Sequence, residues 1–333
     1  MERINTVAVC FLAGSFISCR VTLNSSGTMA RRFIIQESDF RRVQSLGFAN
    51  LYYRLKLLVK FPSAIPKLFG EREKTLEHID MKIRSEFERN PHSLVKRRGV
   101  YIYLNSKDRW ISSYIQVVGA YDMEGTLLLE SLLKEGDVVF DVGANIGWYT
   151  LVSSKMVKRI GRIYAFEPEP INFSLLSKSV ACNAFQNVEL FNCCIADYDG
   201  EVKLFLNEDN PGDHSTAWNA GVKSIKVPCA KLDTIAMKYG LDHIDLLKID
   251  IEGAEPKALS GATGLLDKGK IERMLVEYSP EVWRDYQGIL ARLFHDYEVF
   301  SVNSTPLSPF KRTSLDSLPR LRTNLYLARR RAN

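Results

Sequence analysis

Asp137-Val-Val-Phe-Asp-Val-Gly-Ala-Asn-Ile-Gly147 joins a short apolar run to a turn that contains two glycines. The run from Val138 to Val142 predicts a buried strand, and the glycines after it predict a tight turn into a helix. Gly143 lacks a Cβ atom, so it permits the turn and lets the backbone approach a ligand closely. Asn145 is one of the few other residue types that tolerate a left-handed conformation. The segment therefore predicts a strand–turn–helix unit that binds a ligand beyond the end of the strand.

The spacing of the turn separates classes of ligand. Gly147 allows the following helix to pack closely, and the N–H groups at the start of that helix attract a carboxylate or a phosphate. A nicotinamide site is typically G-x-G-x-x-G, whereas the chain has G-x-x-x-G from Gly143 to Gly147. Asp141 precedes the first glycine by two residues, where a carboxylate can bind an ammonium group but repels a pyrophosphate. These features favour a ligand with an ammonium group.

A second acid, Glu167, stands at the end of the next predicted strand, residues 161–166. A carboxylate at this position can accept hydrogen bonds from both hydroxyls of a ribose. The alternative is an acid favoured by the dipole at the start of a helix. Because Asp141 and Glu167 each lie at a strand end, we favour the ribose-binding interpretation.

Strand and helix patterns alternate from about Val100 to the end of the chain. Helices are predicted at residues 71–88, 123–134 and 170–183. Strands are predicted at residues 100–104, 138–142, 161–166, 188–193, 244–249, 271–277, 297–302 and 323–328, with an added pair at 201–206 and 224–228. Such alternation predicts an α/β fold with a doubly wound, mostly parallel sheet. Ligands of these sheets bind beyond the carboxyl ends of the strands.

A third group of charged residues follows the strand predicted at residues 244–249. If the strand continues through Glu252, then Lys248, Asp250 and Glu252 share one face, because strand side chains alternate. Charged groups are costly in a core, so they are expected to face the ligand. Asp250 is the candidate general base and Lys248 a candidate counter-ion. The alternative is a solvated cluster of charges at a strand end.

Other candidate residues carry weaker patterns. His214, in the polar loop at residues 210–216, is a candidate base, with an incidental loop histidine as the alternative. The remaining histidines share no pattern with cysteines or carboxylates, so no metal site is predicted, although Asp250 with Glu252 can in principle bind Mg²⁺ weakly. The six cysteines lack C-x-x-C spacing and indicate free thiols of a reducing cytoplasm.

Length, composition and charge limit the possible domain organisations. A length of 333 residues with 46% hydrophobic residues suffices for one large α/β domain with an extension, or for two modest domains. Residues 31–100 contain 16 Lys or Arg and 8 Asp or Glu, a net charge of +8 within a total of +6. We expect residues 1–28 to be a leader or to precede a true start at Met29, residues 29–100 to be a basic helical region, and residues 101–333 to form the main domain. The basic region is either a solvated helical face or a peripheral membrane contact, and no nucleic-acid partner is expected.

Together these segments resemble the FkbM-family methyltransferases, within the class I Rossmann-like methyltransferases. The matching segments are residues 137–150, 165–168, 187–190, 196–197, 247–255 and 324–325. The resemblance implies a seven-stranded sheet with a final antiparallel strand, and S-adenosylmethionine as methyl donor. It departs at Tyr121-Asp122, where many relatives have Tyr-Glu, which leaves the role of Asp122 and the nearby Glu124 open.

The resemblance also implies roles for individual residues. It places Asp141 and the turn near the methionine moiety, Glu167 at the ribose, and Ala196 with Asp197 near the adenine. The turn residues carried over are Gly143, Ala144, Asn145 and Gly147. Family members mostly methylate hydroxyl oxygens of sugars, polyketides or related small molecules. The sequence thus predicts O-methylation of a small-molecule or carbohydrate acceptor, with a nicotinamide-dependent oxidoreductase and a non-catalytic adenosyl-binding protein as alternatives.

Overall fold

The computed structural model describes residues 72–207, 209–217, 223–302 and 310–330. The predicted leader and most of the predicted basic helical region lie outside these residues. Among the helices of the described part, none combines the length and the hydropathy that a membrane span requires.

The strands are mostly where the sequence predicts them. They are β1 Leu94–Arg97, β2 Val100–Tyr103, β3 Val138–Val142, β4 Arg162–Phe166, β5 Val188–Phe191, β6 Cys194–Ile195, β7 Gly200–Phe205, β8 Ser224–Ala230, β9 Leu246–Ile249, β10 Arg273–Tyr278, β11 Tyr297–Val302, β12 Phe310–Arg312 and β13 Thr323–Arg329. The α-helices are α1 Arg72–Arg89, α2 Ile111–Val117, α3 Met123–Leu132, α4 Trp148–Val157, α5 Pro170–Cys182, α6 Leu232–Lys238, α7 Glu255–Ser260, α8 Thr263–Asp267, α9 Pro280–Trp283 and α10 Gln287–Asp296.

The main sheet has the strand order β12-β11-β13-β10-β9-β3-β4-β5. Neighbouring strands from β5 to β10 are parallel, whereas β13 lies antiparallel between β10 and β11. This confirms the doubly wound, mostly parallel sheet with a final antiparallel strand. The described sheet has eight strands rather than seven, because the short β12 pairs with the outer edge of β11.

Apolar side chains form a separate core on each face of this sheet. Ile83 and Phe87 of α1 and Ile102 of β2 are fully buried in one of them. Burying an aliphatic or aromatic side chain of this size stabilises a fold by about 1.5–3 kcal/mol. Residues 79–104 therefore pack into the main domain, and residues 94–97 form a strand where the sequence predicts helix.

A small sheet with the order β6-β8-β7 adjoins the carboxyl end of the main sheet. Its strands β7 and β8 are the predicted added pair, and they pair antiparallel. Ser215 forms a bridge with Phe205 at the end of β7. This bridge holds the polar loop of residues 210–216 next to the carboxyl ends of the parallel strands.

Candidate active site

A cavity of about 870 Å³, open to solvent, lies where β3, β4 and β9 end. This is the edge at which ligands of parallel α/β sheets bind. Sequence-predicted residues that line it are Gly143, Ala144, Asn145, Glu167, His214, Lys248, Asp250 and Glu252. The fold therefore brings residues from four separated segments of the chain into one site.

The turn after β3 adopts the left-handed conformations that its residues favour. The φ angles of Gly143, Asn145 and Gly147 are +80°, +51° and +97°. A Cβ atom on Gly143 would lie 1.9 Å from the backbone oxygen of Asp250, and one on Gly147 would lie 2.5 Å from Leu176 Cδ1. The close packing predicted at Gly147 is confirmed. At Gly143 the close approach is to the Asp250 backbone. The absence of a Cβ therefore lets the turn after β3 pack directly against the turn after β9.

Glu167 is held rigidly at the cavity wall. Its Oε2 accepts a hydrogen bond from the Asn145 backbone N–H at 2.8 Å, and its Oε1 accepts one from the Glu169 N–H at 2.9 Å. Burial raises the pKa of Glu167 to about 7, although both backbone bonds act in the opposite direction. Each carboxylate oxygen keeps a second lone pair, so the group can still accept bonds from two ligand hydroxyls.

Asp141 lies beneath the turn and does not line the cavity. Its side chain is 1% exposed, and its Oδ2 accepts a bond from Thr150 Oγ1 at 2.6 Å. Lys248 Nζ lies 3.4 Å from Asp141 Oδ1 and donates to the Gly143 carbonyl at 2.9 Å. Asp141 thus supports the turn through Lys248. That Asp141 also contacts the ammonium group of the ligand stays a prediction.

Lys248 links the buried acid to the cavity. Its Nζ lies 3.7 Å from Asp250 Oδ2, and it sits 5.2 Å from the ring centroid of Tyr149. Burial lowers the pKa of Lys248, but the Asp141 and Asp250 carboxylates outweigh burial and raise it overall. Lys248 is therefore an ammonium group at physiological pH, placed as a counter-ion to both acids.

The predicted continuation of strand β9 through Glu252 is wrong. The strand ends at Ile249, and Glu252 has a left-handed φ of +54°. The chain turns because Gly253, also left-handed at +96°, leads into α7. Lys248, Asp250 and Glu252 nevertheless all line the cavity, since the turn brings Glu252 back toward it.

Two residues not predicted from the sequence, Arg322 and Glu277, lie beside Glu252. Arg322 donates from Nε to Glu277 Oε1 at 2.6 Å and forms an ion pair with Glu252. One oxygen from each of Asp250, Glu252 and Glu277 lies within 4.8 Å of the others. Burial, and then the charge of Asp250, raises the pKa of Glu252 to about 9 and that of Glu277 to about 8. Glu277 could have been noticed as a polar residue ending a predicted strand, but nothing local to Arg322 indicates its position.

A hydrogen-bonded group around Asp122 forms another side of the cavity. Tyr149 donates to Asp122 Oδ2 at 2.5 Å, Asn324 donates to the same oxygen at 3.2 Å, and the Gly125 N–H donates to Oδ1 at 3.1 Å. Burial raises the pKa of Asp122 to about 6 and holds the pKa values of Tyr121 and Tyr149 well above 10. Tyr121 and Tyr149 line the cavity as hydroxyl groups that keep their protons. Asp122, whose role the sequence leaves open, thus joins α3, α4 and β13.

The geometry of His214 contradicts its assignment as a base. Its Nδ1 accepts a hydrogen bond from the Asn207 backbone N–H at 3.0 Å. In a neutral imidazole the other nitrogen, Nε2, then carries the proton. Burial lowers the pKa of His214, so the neutral form prevails at physiological pH. His214 therefore has a donor, rather than a base, on its second ring nitrogen.

Ala196 and Asp197, which the resemblance places near the adenine, do not line the cavity. Asp197 is exposed, and Ala196 is buried against Gly261, where its oxygen lies 2.1 Å from where a Cβ would be. Neither lines the cavity, whereas Cys193, Cys194 and Ile195 do. The reason is that β6 pairs with β8 and carries the chain away from the site after Ile195.

The sheet order and this site define the class I fold of S-adenosylmethionine-dependent methyltransferases. Within that class, residues 141–299 match the methyltransferase FkbM domain, which confirms the resemblance to the FkbM-family methyltransferases. The predicted donor of the class, S-adenosylmethionine, is confirmed by this assignment.

Several methyltransferases are similar to part of this chain. Methyltransferase sdnD of Sordaria araneosa is 27% identical over 160 residues, covering 39% of this chain and 61% of that protein. The 31-O-demethyl-FK506 methyltransferase FkbM of Streptomyces tacrolimicus is 27% identical, covering 39% and 60%. The hexuronic acid methyltransferase AglP of Haloferax volcanii is 29% identical, covering 42% and 55%. The chain thus spans less than two thirds of these relatives.

Proposed function

We propose that this protein transfers the methyl group of S-adenosylmethionine to a hydroxyl oxygen of a small-molecule or carbohydrate acceptor. The observation that carries the proposal is that Asp250 and Glu167 line one cavity, with Lys248 beside Asp250. The Glu167 carboxylate is suited to bind the ribose of the donor, and the Asp250 carboxylate is suited to take the proton of the acceptor hydroxyl. The names of the relatives, a 31-O-demethyl-FK506 methyltransferase and a hexuronic acid methyltransferase, support a hydroxyl-bearing acceptor.

The donor side is formed by the turn after β3 and by Glu167. We expect the rigid Glu167 carboxylate to accept hydrogen bonds from the ribose hydroxyls. We place the adenine on the part of the cavity wall that residues 193–195 form. When bound, the donor supplies a methyl group that its positive sulfur has already activated. The protein therefore mainly has to align the two reactants, which can contribute about 7–11 kcal/mol to lowering the barrier.

The acceptor side is formed by Asp250 and its neighbours. Lys248 holds the Asp250 region beside the turn, and the Asp250 side chain is 29% exposed toward the cavity. As the acceptor oxygen bonds to the methyl carbon, the carbon–sulfur bond breaks with its electron pair remaining on sulfur. The hydroxyl proton passes to the Asp250 carboxylate. Such a positioned base contributes about 10²- to 10⁴-fold to a rate.

Calorimetry with S-adenosylhomocysteine tests the donor side. We expect Glu167→Ala to weaken binding by about tenfold or more, because two hydrogen bonds from the ribose hydroxyls are lost and each contributes about 0.5–1.5 kcal/mol. Glu201→Ala, which removes an exposed acid of β7, is the matched control and should bind like the wild type. Equal affinity in the wild type and both variants would refute the placement of the ribose.

Turnover of Asp250→Asn tests the acceptor side. The assay follows label from methyl-tritiated S-adenosylmethionine into hexuronic acid glycosides and hydroxylated macrolides. We expect donor affinity within about threefold of the wild type and a rate reduced by about 10²-fold or more. Wild-type turnover in this variant would remove Asp250 from the mechanism, and label on nitrogen rather than oxygen would refute O-methylation.

We place the reaction in the cytoplasm, a proposal supported by the free thiols of Cys182, Cys193, Cys194 and Cys229. No nucleic acid is expected as a partner. The peripheral membrane contact proposed for the basic region rests on residues 31–100, most of which lie outside the described residues.

A further inference from the structure

The loop that carries His214 is fixed over the cavity at two points. Asn172 of α5 donates from Nδ2 to the Pro211 carbonyl at 3.0 Å. Ser215 donates from Oγ to the Glu252 carbonyl at 2.7 Å. The first contact ties the loop to the helix that follows Glu167, and the second ties it to the turn that follows Asp250. His214 is therefore held at a defined position on the cavity wall.

The proton on His214 is placed by an equally well-fixed neighbour. The Asn207 N–H donates to His214 Nδ1, and the Asn207 side chain accepts bonds from the Asp209 and Asn210 N–H groups at 3.1 and 3.0 Å. Asn207 also donates to Asp213 Oδ2 at 3.1 Å. Because this turn is closed by its own hydrogen bonds, the Asn207 N–H direction is set. His214 consequently offers an Nε2–H donor.

Hydrogen bonds place the His214 loop on the donor side of the cavity. Asn172, which donates to the Pro211 carbonyl of this loop, also donates its backbone N–H to Glu169 Oε2 at 2.7 Å. Glu169 is two residues from Glu167 and donates its N–H to the Glu167 carboxylate. His214 therefore lies on the side of the cavity that carries the ribose-binding acid.

We propose that His214 binds the adenosyl ligand by donating a hydrogen bond from Nε2 to a hydroxyl oxygen of the ribose, and that it is not a base. The inference rests on the proposed function, since it requires the donor to occupy this cavity. A ribose hydroxyl that donates a hydrogen bond to Glu167 keeps two lone pairs that can accept a bond from a second group. Glu167 is an acceptor, and His214 supplies the complementary donor.

Calorimetry with S-adenosylhomocysteine tests this role in three variants. His214→Phe removes the donor and should weaken binding about tenfold, the effect of one hydrogen bond to a buried partner. His214→Gln places an amide N–H near the position of Nε2 and should stay within about threefold of the wild type. His243→Phe, at an exposed histidine paired with Asp245, is the control and should not change affinity.

Ligands that lack one ribose hydroxyl separate a direct bond from a structural effect. One of the two analogues of S-adenosylhomocysteine, 2′-deoxy or 3′-deoxy, lacks the hydroxyl that His214 binds. His214→Phe should bind that analogue as well as the wild type does. A tenfold loss with both analogues would overturn the inference in favour of a packing role. So would unchanged donor affinity in His214→Phe with a large loss of turnover, which would indicate a base.

The outcome for the wild type distinguishes this inference from the proposed function. If the wild type does not bind S-adenosylhomocysteine, the proposed function and the inference fail together. If the wild type binds and His214→Phe binds equally well, only the inference fails.

Discussion

Replacing Lys248 with methionine tests how the turn and the acceptor side are held together. The substitution keeps much of the apolar stem but removes the ammonium group from Asp141 and the donor from the Gly143 carbonyl. The Asp141 carboxylate, 1% exposed, would keep its bond from Thr150 and lose its cation. Breaking a buried ion pair in this way costs about 3–5 kcal/mol. Since domains are stable by about 5–15 kcal/mol, the loss should be a large part of the total.

Urea unfolding followed by tryptophan fluorescence measures this loss at pH 7. Lys178→Met, an exposed lysine of α5, is the control and should change the free energy of unfolding by less than about 0.5 kcal/mol. The double variant Asp141→Asn/Lys248→Met should recover part of the loss, because the buried carboxylate is gone and only the partly exposed Asp250 has lost its cation. Coupling between contacting residues is typically about 0.5–3 kcal/mol.

The sign of the pH dependence follows from Lys248. Its pKa in the folded protein is raised, so the stabilisation is complete below its unfolded pKa and is lost only as pH rises through the folded value. The titration of Lys248 itself therefore adds no pH dependence to this cost between pH 6 and pH 8. Any dependence in that range comes from Glu167, whose pKa of about 7 the Lys248 charge helps to lower. A cost below about 1 kcal/mol, with additive effects in the double variant, would refute the reasoning.

The remaining predictions concern the turn and the Asp122 group. Gly143→Ala should destabilise the protein and weaken S-adenosylhomocysteine binding, because a Cβ would meet the Asp250 oxygen and φ is +80°. Gly240→Ala, with φ of +61° and open space around the Cβ, should show only the backbone cost of about 1–2 kcal/mol in urea unfolding. Equal losses in the two variants would contradict the packing role of Gly143. Asp122→Asn should reduce the pH dependence of the protein's stability. Because the Asp122 pKa is raised to about 6, burial of its carboxylate destabilises the folded state increasingly as pH rises from 4 to 7. Thermal unfolding across that range checks this, and parallel curves for wild type and variant would count against it.

The sequence predicts the parts of the site that depend on residues close together in the chain. Val138 to Val142 matches β3 in both bounds, because an apolar run ending at glycines leaves little freedom. The left-handed residues of the turn follow from the intrinsic preferences of Gly143 and Asn145. Glu167 lies at the cavity because the carboxyl ends of adjacent parallel strands β3 and β4 meet at one edge.

Other parts depend on contacts between distant segments. Strand alternation cannot place Glu252, because its left-handed conformation ends the alternation. Arg322 reaches Glu277 because β13 pairs with β10, a long-range pairing with no local signal. The tautomer of His214 depends on a single hydrogen bond from the Asn207 backbone N–H, a contact for which the sequence has no signal.

Titration of the wild-type protein with S-adenosylhomocysteine and, separately, with NAD⁺ in a calorimeter tests the central claim most directly. The left-handed turn, Glu167 and the G-x-x-x-G spacing predict saturable binding of S-adenosylhomocysteine at one site per chain and no measurable heat with NAD⁺. Binding of NAD⁺ in preference to S-adenosylhomocysteine, or binding of neither, would contradict the account.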